Sequence, residues 1–282
     1  MKQFERTEVA GVSLPRMLIG TNWLLGWSHR TTSHDKMIQA KFDTREKFFP
    51  IFEAYSQYGI DAIMAPASKN PLIIDAINYF RDKTGKNIII IDTPVLNVDD
   101  TAAARAEAQA DIKESARLGS TFCLPHHSSA EELVNKNKGT IERIGDYTSM
   151  IRDAGLIPGL SAHMPELILF SDANEYDVET YIQIYNCMGF LMQIEIETIA
   201  SIINNAKKPV MTIKSMGAGR ITPYVGLNFV WNTLRKRDMV TLGAFSAEEV
   251  HEDVEISFAA LERRFPDMEK RASANNDQVL LS

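Results

Sequence analysis

The sequence predicts an α/β chain folded as a single (β/α)8 TIM barrel over residues 1–282. Three observations carry that prediction. Short apolar runs alternate with longer amphipathic stretches, eight times over. One run, Ile88 to Ile91, is β-branched throughout, as in a parallel strand buried on both faces. The length of 282 residues is close to the ~250 typical of such a barrel and can bury one large core.

The expected strands are 16–20, 60–65, 87–92, 121–124, 157–161, 181–185, 209–213 and 239–242. Helices between them have recognisable starts. Asp43 with Glu46, Ser129 with Glu132 and Ser246 with Glu249 have the spacing of capping boxes. Ala104, Ala108, Ile112 and Ala116 give the third helix an apolar face; Val250, Val254, Phe258, Leu261 and Phe265 do so for the last. Gly59, Gly85, Gly119 and Gly155 each fall between a helix and the next strand, where a left-handed cap is expected. An open doubly wound sheet would carry a glycine-rich phosphate turn after its first strand, and Gly20-Thr21-Asn22-Trp23 is not one. Two segments break the rhythm. Residues 21–43 form a long first loop, expected to act as a lid, with Trp23 and Trp27 to close over a ring. Residues 266–282 form a polar tail, in which Val279, Leu280 and Leu281 could pack.

Composition excludes several classes. A net charge of −7 argues against a nucleic-acid surface, which needs a basic stripe. No apolar run approaches the ~20 residues of a membrane span, and the N-terminus lacks the apolar core of a secretory leader. A cytoplasmic protein acting on a small molecule is the expectation, with no indication of oligomeric state. Cys123 and Cys187 lie in apolar segments with no disulfide or zinc spacing, and are expected to be buried free thiols.

In this fold the C-terminal strand ends face the working site. Those ends carry Asn22 and Trp23, Asp92, His126 and His127, His163, Asn186 and Lys214. Three of the six histidines fall there, two more in the first loop, and only His251 on a helix. Histidine has no general preference for strand ends, so the skew points to a site. Two chemistries can use the set. Asp92, His126 and His163, from three consecutive strands, could hold a divalent metal with open positions. Alternatively, His126 is a general acid or base oriented by Asp92, with Lys214 holding an anionic oxygen. Each residue also has a structural reading: Asp92 as a loop cap, His126 or His127 as a loop polar group, His163 as a helix cap, Lys214 as an ion-pair partner of Asp92.

The second half resembles the aldo-keto reductase superfamily. The stretch Gly159-Leu160-Ser161-Ala162-His163-Met164-Pro165-Glu166 is similar to that family's fifth strand and loop. Asp177 through Tyr185 and Asn186, with Gln183, resembles its sixth, and Met211 through Gly219 and Arg220 its seventh. Leu242-Gly243-Ala244-Phe245-Ser246 with Val250 resembles its eighth, and Leu18-Ile19-Gly20-Thr21 its first. The resemblance implies the barrel, and places Asn22, Trp23, Asn186 and Arg220 around the substrate. It does not carry the family's catalytic tetrad. Met64 stands where the catalytic Asp would fall, no Tyr follows, and Asp92-Thr93-Pro94 offers no Lys; only the histidine is kept, as His126. Glu248, Glu249, Glu252 and Asp253 occupy the segment that grips the adenosine phosphate in the family, so NADPH is disfavoured and NADH is not excluded. The leading expectation is therefore a lyase or isomerase of a sugar-like or keto substrate, working by acid–base or metal-assisted proton abstraction. The alternatives are a divergent NAD(P)H-dependent reductase and a non-catalytic binding barrel.

Overall fold

The computed structural model describes residues 1–268, so most of the tail 266–282, including Val279, Leu280 and Leu281, lies outside the described residues. The chain opens with an antiparallel hairpin, β1 (Arg6–Val9) and β2 (Val12–Pro15), turned by Ala10 and Gly11, both at positive φ. The hairpin was not among the expected elements. It plugs the bottom of the barrel, since Val9 and Leu14 pack with the inward side chains of the strands above.

All eight expected barrel strands form. They are β3 (Met17–Gly20), β4 (Ala62–Ala65), β5 (Ile89–Asp92), β6 (Phe122–Cys123), a fifth strand in two pieces, β11 (Tyr181–Ile184), β12 (Val210–Ile213) and β13 (Met239–Leu242). A small hairpin, β7 (Val134–Asn135) with β8 (Thr140–Ile141), sits in the loop before the fifth strand. The fifth strand consists of β9 (Ile157–Pro158), paired with β6, and β10 (Leu160–Ala162), paired with β11. Gly159 joins them. Its N–H reaches Cys123 O at 3.4 Å, Ser161 N reaches Pro125 O at 3.3 Å, and Leu160 N reaches Thr180 O at 3.1 Å. With β13 parallel to β3, the sheet is a ring of eight parallel positions.

Strand alternation divides the core. Leu18, Met64, Ile91, Phe122, Ile182 and Met211 pack inside the ring. The opposite-parity residues meet the helices in a larger outer cluster. Those helices include α1 (Asn22–Leu25) and α2 (Thr32–Lys41) inside the 21–43 segment, which is folded rather than irregular. They continue with α3 (Phe49–Gln57), α4 (Pro71–Thr84), α5 (Ala102–Arg117), α6 (His127–Ala130), α7 (Ile144–Asp153), α8 (Glu166–Asn174), α9 (Ile196–Asn205), α10 (Pro223–Thr233) and α11 (Ala247–Glu262).

Gly59, Gly85, Gly119 and Gly155 all have positive φ, as expected. Of the three capping boxes one forms: the Ser246 hydroxyl accepts from Glu249 N. Asp43 instead pairs with Lys47, because the turn that follows is a short 3-10 segment entered through Thr44. Ser129 lies within α6 and exchanges two 2.9 Å hydrogen bonds with the Leu96 backbone. Phe265 lies beyond the end of α11 and is 80% exposed rather than continuing its apolar face. Cys123 is buried; Cys187 is only half-buried, and both are free thiols.

A Cβ at residue 159 would stand 2.7 Å from Thr180 O and 2.8 Å from Leu124 Cγ. Gly159→Ala should therefore destabilise by about 1–3 kcal/mol in urea denaturation, through forced displacement of the neighbouring strand. Gly145→Ala, in α7 with nothing within 4 Å, should be neutral or gain up to about 1 kcal/mol. Equal effects would separate Gly159 from barrel closure.

Candidate active site

The C-terminal strand ends open onto a cavity of about 490 Å³. Which strand-end residues reach it follows from the two-residue period of each strand. Phe122 and Leu124 point inward, and the same parity brings His126 to the wall. Ser161 and His163 repeat this on the fifth strand. On the third, Ile89 and Ile91 take the inward positions and Thr93 lines the cavity. Asp92 therefore points outward, between barrel and helices, fully buried, where Oδ1 accepts from Ser68 N at 3.3 Å. It does not meet His126, His163 or Lys214. The expected metal triad is not assembled, nor is an Asp92–Lys214 ion pair. Among the described residues no group of three or more His, Cys, Asp or Glu is arranged to hold a metal ion.

Three imidazoles line one side of the cavity. His126 caps α6: its Nδ1 accepts from Ser128 N at 3.4 Å and lies 2.8 Å from Ser128 Oγ, which leaves the Nε2 side for the ring proton. The His127 ring centroid lies 4.1 Å from that of His126 and 3.7 Å from that of His163, stacked on the latter at 20°. Glu131 fastens the group from behind. Its Oε1 accepts the backbone N–H groups of His163 at 2.5 Å and Met164 at 2.8 Å, and its Oε2 lies 3.8 Å from His127 Nδ1. Sequence reasoning missed Glu131; its spacing of four from His127 was the available signal.

Lys214 directly follows β12 and completes the set. Parity alone would turn it away, because Met211 and Ile213 are the inward residues. A left-handed backbone at Lys214, φ 61°, re-aims the side chain, and Nζ comes within 3.3 Å of His163 Nε2. Burial lowers the Lys214 amine to about 8. Burial, reinforced by Lys214, lowers His163 to about 3; burial, with His127 and Lys214, lowers His126 to about 4. At neutral pH both imidazoles are uncharged, so His163 Nε2 accepts a hydrogen bond from the ammonium. Among the described residues no Asp or Glu lines the cavity wall.

The first and seventh loops close the rim. Asn22 bonds His29 at 3.2 Å, and Trp23, Trp27 and His29 line the cavity. Arg30 donates to Ala218 O and Gly219 O, while Arg220 donates to His29 O and Gly217 O and covers the Phe190 ring at 4.2 Å. Arg220 therefore stands at the mouth, outside the cavity wall. Asn186 is buried and spends its amide on its own loop, accepting from Met188 N and Phe190 N and donating to Phe190 O.

No protein-family model and no curated protein matches this chain. Solved structures do match. A Pseudomonas aeruginosa protein assigned to the aldo-keto reductases aligns over 93% of this chain and 98% of its own, with a TM-score of 0.66 and 12% identity. The glycerol dehydrogenase of Gluconobacter oxydans aligns over 95% and 98%, at 0.60 and 13%. An aldo-keto reductase from Klebsiella pneumoniae, solved with NADPH, aligns over 99% and 94%, at 0.60 and 15%. The fold is aldo-keto reductase-like. At these identities the likeness concerns the barrel alone, and the site departs from the family pattern as the sequence indicated. Met64 fills the second-strand position and Thr93 the third-strand wall. By the resemblance, the adenosine phosphate of NADPH would meet the start of α11. There Glu249 Oε2 already accepts Phe245 N at 2.7 Å, and the Ser246 hydroxyl takes Glu249 N. A carboxylate there is a poor fit for that phosphate, which NADH does not carry.

Burial raises the Asp92 carboxyl, with Ser115 and Ser68 pulling it part-way back. The ionised form is thus the disfavoured one in the folded state. Below the ordinary carboxylate range the group is neutral in both states and costs nothing; the cost grows as pH rises through its raised folded value. Asp92→Asn should raise the thermal midpoint more at pH 8 than at pH 4.5. A lowered midpoint at pH 8 would assign Asp92 a favourable ionised role.

Proposed function

We propose that this barrel is a lyase or isomerase of a small carbonyl compound, with Lys214 as the amine that captures the carbonyl. The observation that carries the reading is the Lys214–His163 pair: a buried amine, lowered to about 8, 3.3 Å from a neutral imidazole, on the wall of a closed-in cavity. A desolvated lysine is the activated form of this nucleophile.

In the first step the neutral amine adds to the carbonyl carbon. The C–N bond forms as the C=O π pair moves to oxygen. His163 Nε2 takes the proton shed by nitrogen and delivers it to that oxygen, giving a carbinolamine. A proton from solvent, relayed through His163, joins the hydroxyl, which leaves as water, while the nitrogen pair closes the C=N bond of the iminium. The iminium draws electrons from an adjacent C–H or C–C bond, with His163 as the base that accepts the proton. His163 returns a proton to the enamine carbon, and hydrolysis of the resulting iminium reverses the capture and restores the amine. His163 is most basic while the Lys214 nitrogen is neutral, as free amine or carbinolamine, because the charge that adds to burial in depressing it is then gone. His126, held with its Nε2 side toward the cavity, is placed to donate to the carbonyl oxygen. The reductase reading is the weaker one, since it asks for a missing tetrad and for phosphates at a start of α11 already held by Glu249.

Borohydride reduction of the protein mixed with a panel of aldehydes and ketones should fix a covalent adduct on Lys214, seen by intact mass and peptide mapping. Lys214→Ala should abolish it, and His163→Ala should slow capture by about 10²–10⁴-fold. Capture should accelerate as pH rises and level off near 8, where the amine is neutral, rather than near the ~10.4 of an ordinary lysine. Labelling scattered over surface lysines, with Lys214→Ala equal to wild type, would remove the proposal.

A further inference from the structure

We infer that the carbonyl captured at Lys214 stands on an apolar body, aromatic or branched-alkyl, and not on a chain of hydroxyls. The inference rests on the Lys214 reading but is carried by different residues. The cavity has two unlike sides. His126 and His163 come from the fourth and fifth strands. The first strand lies across the ring from the fifth, and its loop brings Trp23 and Trp27 to the wall. Met64 in the second strand, Pro66 after it and Val95 after the third extend that apolar surface.

The polar groups on this apolar side are already engaged within the protein. The Thr21 hydroxyl donates to Met64 O at 3.1 Å, the Thr241 hydroxyl lies against Met64 Sδ, and the Asn22 amide pairs with His29. Thr93, Ser161 and Ser215 add one hydroxyl each to the wall, and among the described residues it carries no carboxylate to accept from sugar hydroxyls. A polyhydroxylated body placed here would surrender its hydration to Trp23, Trp27, Pro66 and Met64 without replacement hydrogen bonds. An apolar body makes the opposite exchange. Trp27 is 46% exposed and Val95 52% exposed at the mouth, so large apolar surface stands open where such a body would cover it. The volume of about 490 Å³ admits a ring with a short side chain.

Two measurements on the full chain separate this inference from the amine reading. Calorimetric titration with benzyl alcohol and with erythritol tests the body without any carbonyl; benzyl alcohol should bind at least tenfold more tightly. Borohydride trapping then compares phenylacetaldehyde with erythrose, each rate corrected for its free aldehyde; phenylacetaldehyde should label Lys214 at least tenfold faster, and Trp27→Ala should narrow that preference severalfold. Faster labelling by erythrose, or tighter binding of erythritol, overturns the apolar body and leaves the amine in place. Benzyl alcohol binding without labelling by either aldehyde supports the apolar body while removing the amine reading. A Trp27→Ala variant that loses both labelling rates in equal proportion overturns the assignment of Trp27 to the body.

Discussion

The barrel closes at the one residue of its fifth strand that has no side chain. At Gly159 the backbone passes so near Thr180 O and Leu124 that a methyl group has no room. The strand consequently pairs on one side as β9 and on the other as β10. Everything at the site's centre is downstream of that passage. Ser161 and His163 owe their inward direction to its register, and Gln183 in the next strand donates to His163 O at 3.2 Å. Glu131 then reaches from the fourth loop to two successive amides of the fifth. A displaced fifth strand would move His163 away from Lys214 and loosen the imidazole stack with it.

Most of the fold was legible because parallel strands buried on both faces read as plain apolar runs, and all eight were placed within two residues or so of their observed ends. Positions at strand ends were harder, because standing at the right end of a strand says nothing about which way a side chain points. Parity decides that, and it was present in the sequence. His126 shares its phase with Phe122 and Leu124, and His163 with Ser161, whereas Asp92 is out of phase with Ile89 and Ile91. Asp92 was grouped with the histidines by its position and is excluded by its phase. Lys214 is the converse case: out of phase, yet on the wall because of a left-handed backbone that no periodicity predicts. Glu131 was hidden for another reason. Its role depends on the fourth and fifth loops folding against each other, a long-range event with no local signature.

The electrostatics of the cavity run against those of the chain. In a protein of net charge −7, the described residues place no carboxylate on this wall and set a lysine and four histidines there instead. Carboxylates beside Lys214 would hold it as an ammonium by pairing with it. Burial among neutral imidazoles has the reverse effect, and the amine is left at about 8. Burial, with Lys214 and His127 adding to it, keeps His126 and His163 uncharged against the opposing pull of Glu131, which spends one oxygen on two backbone amides. The site is therefore built to favour the neutral forms of its own bases, which is a requirement for nucleophilic attack and a poor arrangement for holding a cation.

Lys214 and His163 have to be considered as one unit for this reason. Lys214 lowers the tendency of His163 to hold a proton beyond what burial does alone, burial lowers the amine itself, and a single proton is the most the pair retains comfortably near neutral pH. While that proton sits on Lys214, His163 Nε2 accepts it as a hydrogen bond at 3.3 Å and the amine is masked. Once the nitrogen enters a neutral covalent bond, the charge that suppressed His163 is gone, and the imidazole can take up the proton the reaction must move. An isolated buried lysine would have a lowered pKa but nowhere to send its proton. An isolated buried histidine would be neutral but have no step that turns it into a base. The 3.3 Å contact couples the two changes, and the left-handed residue at 214 is the backbone cost at which the fold maintains it.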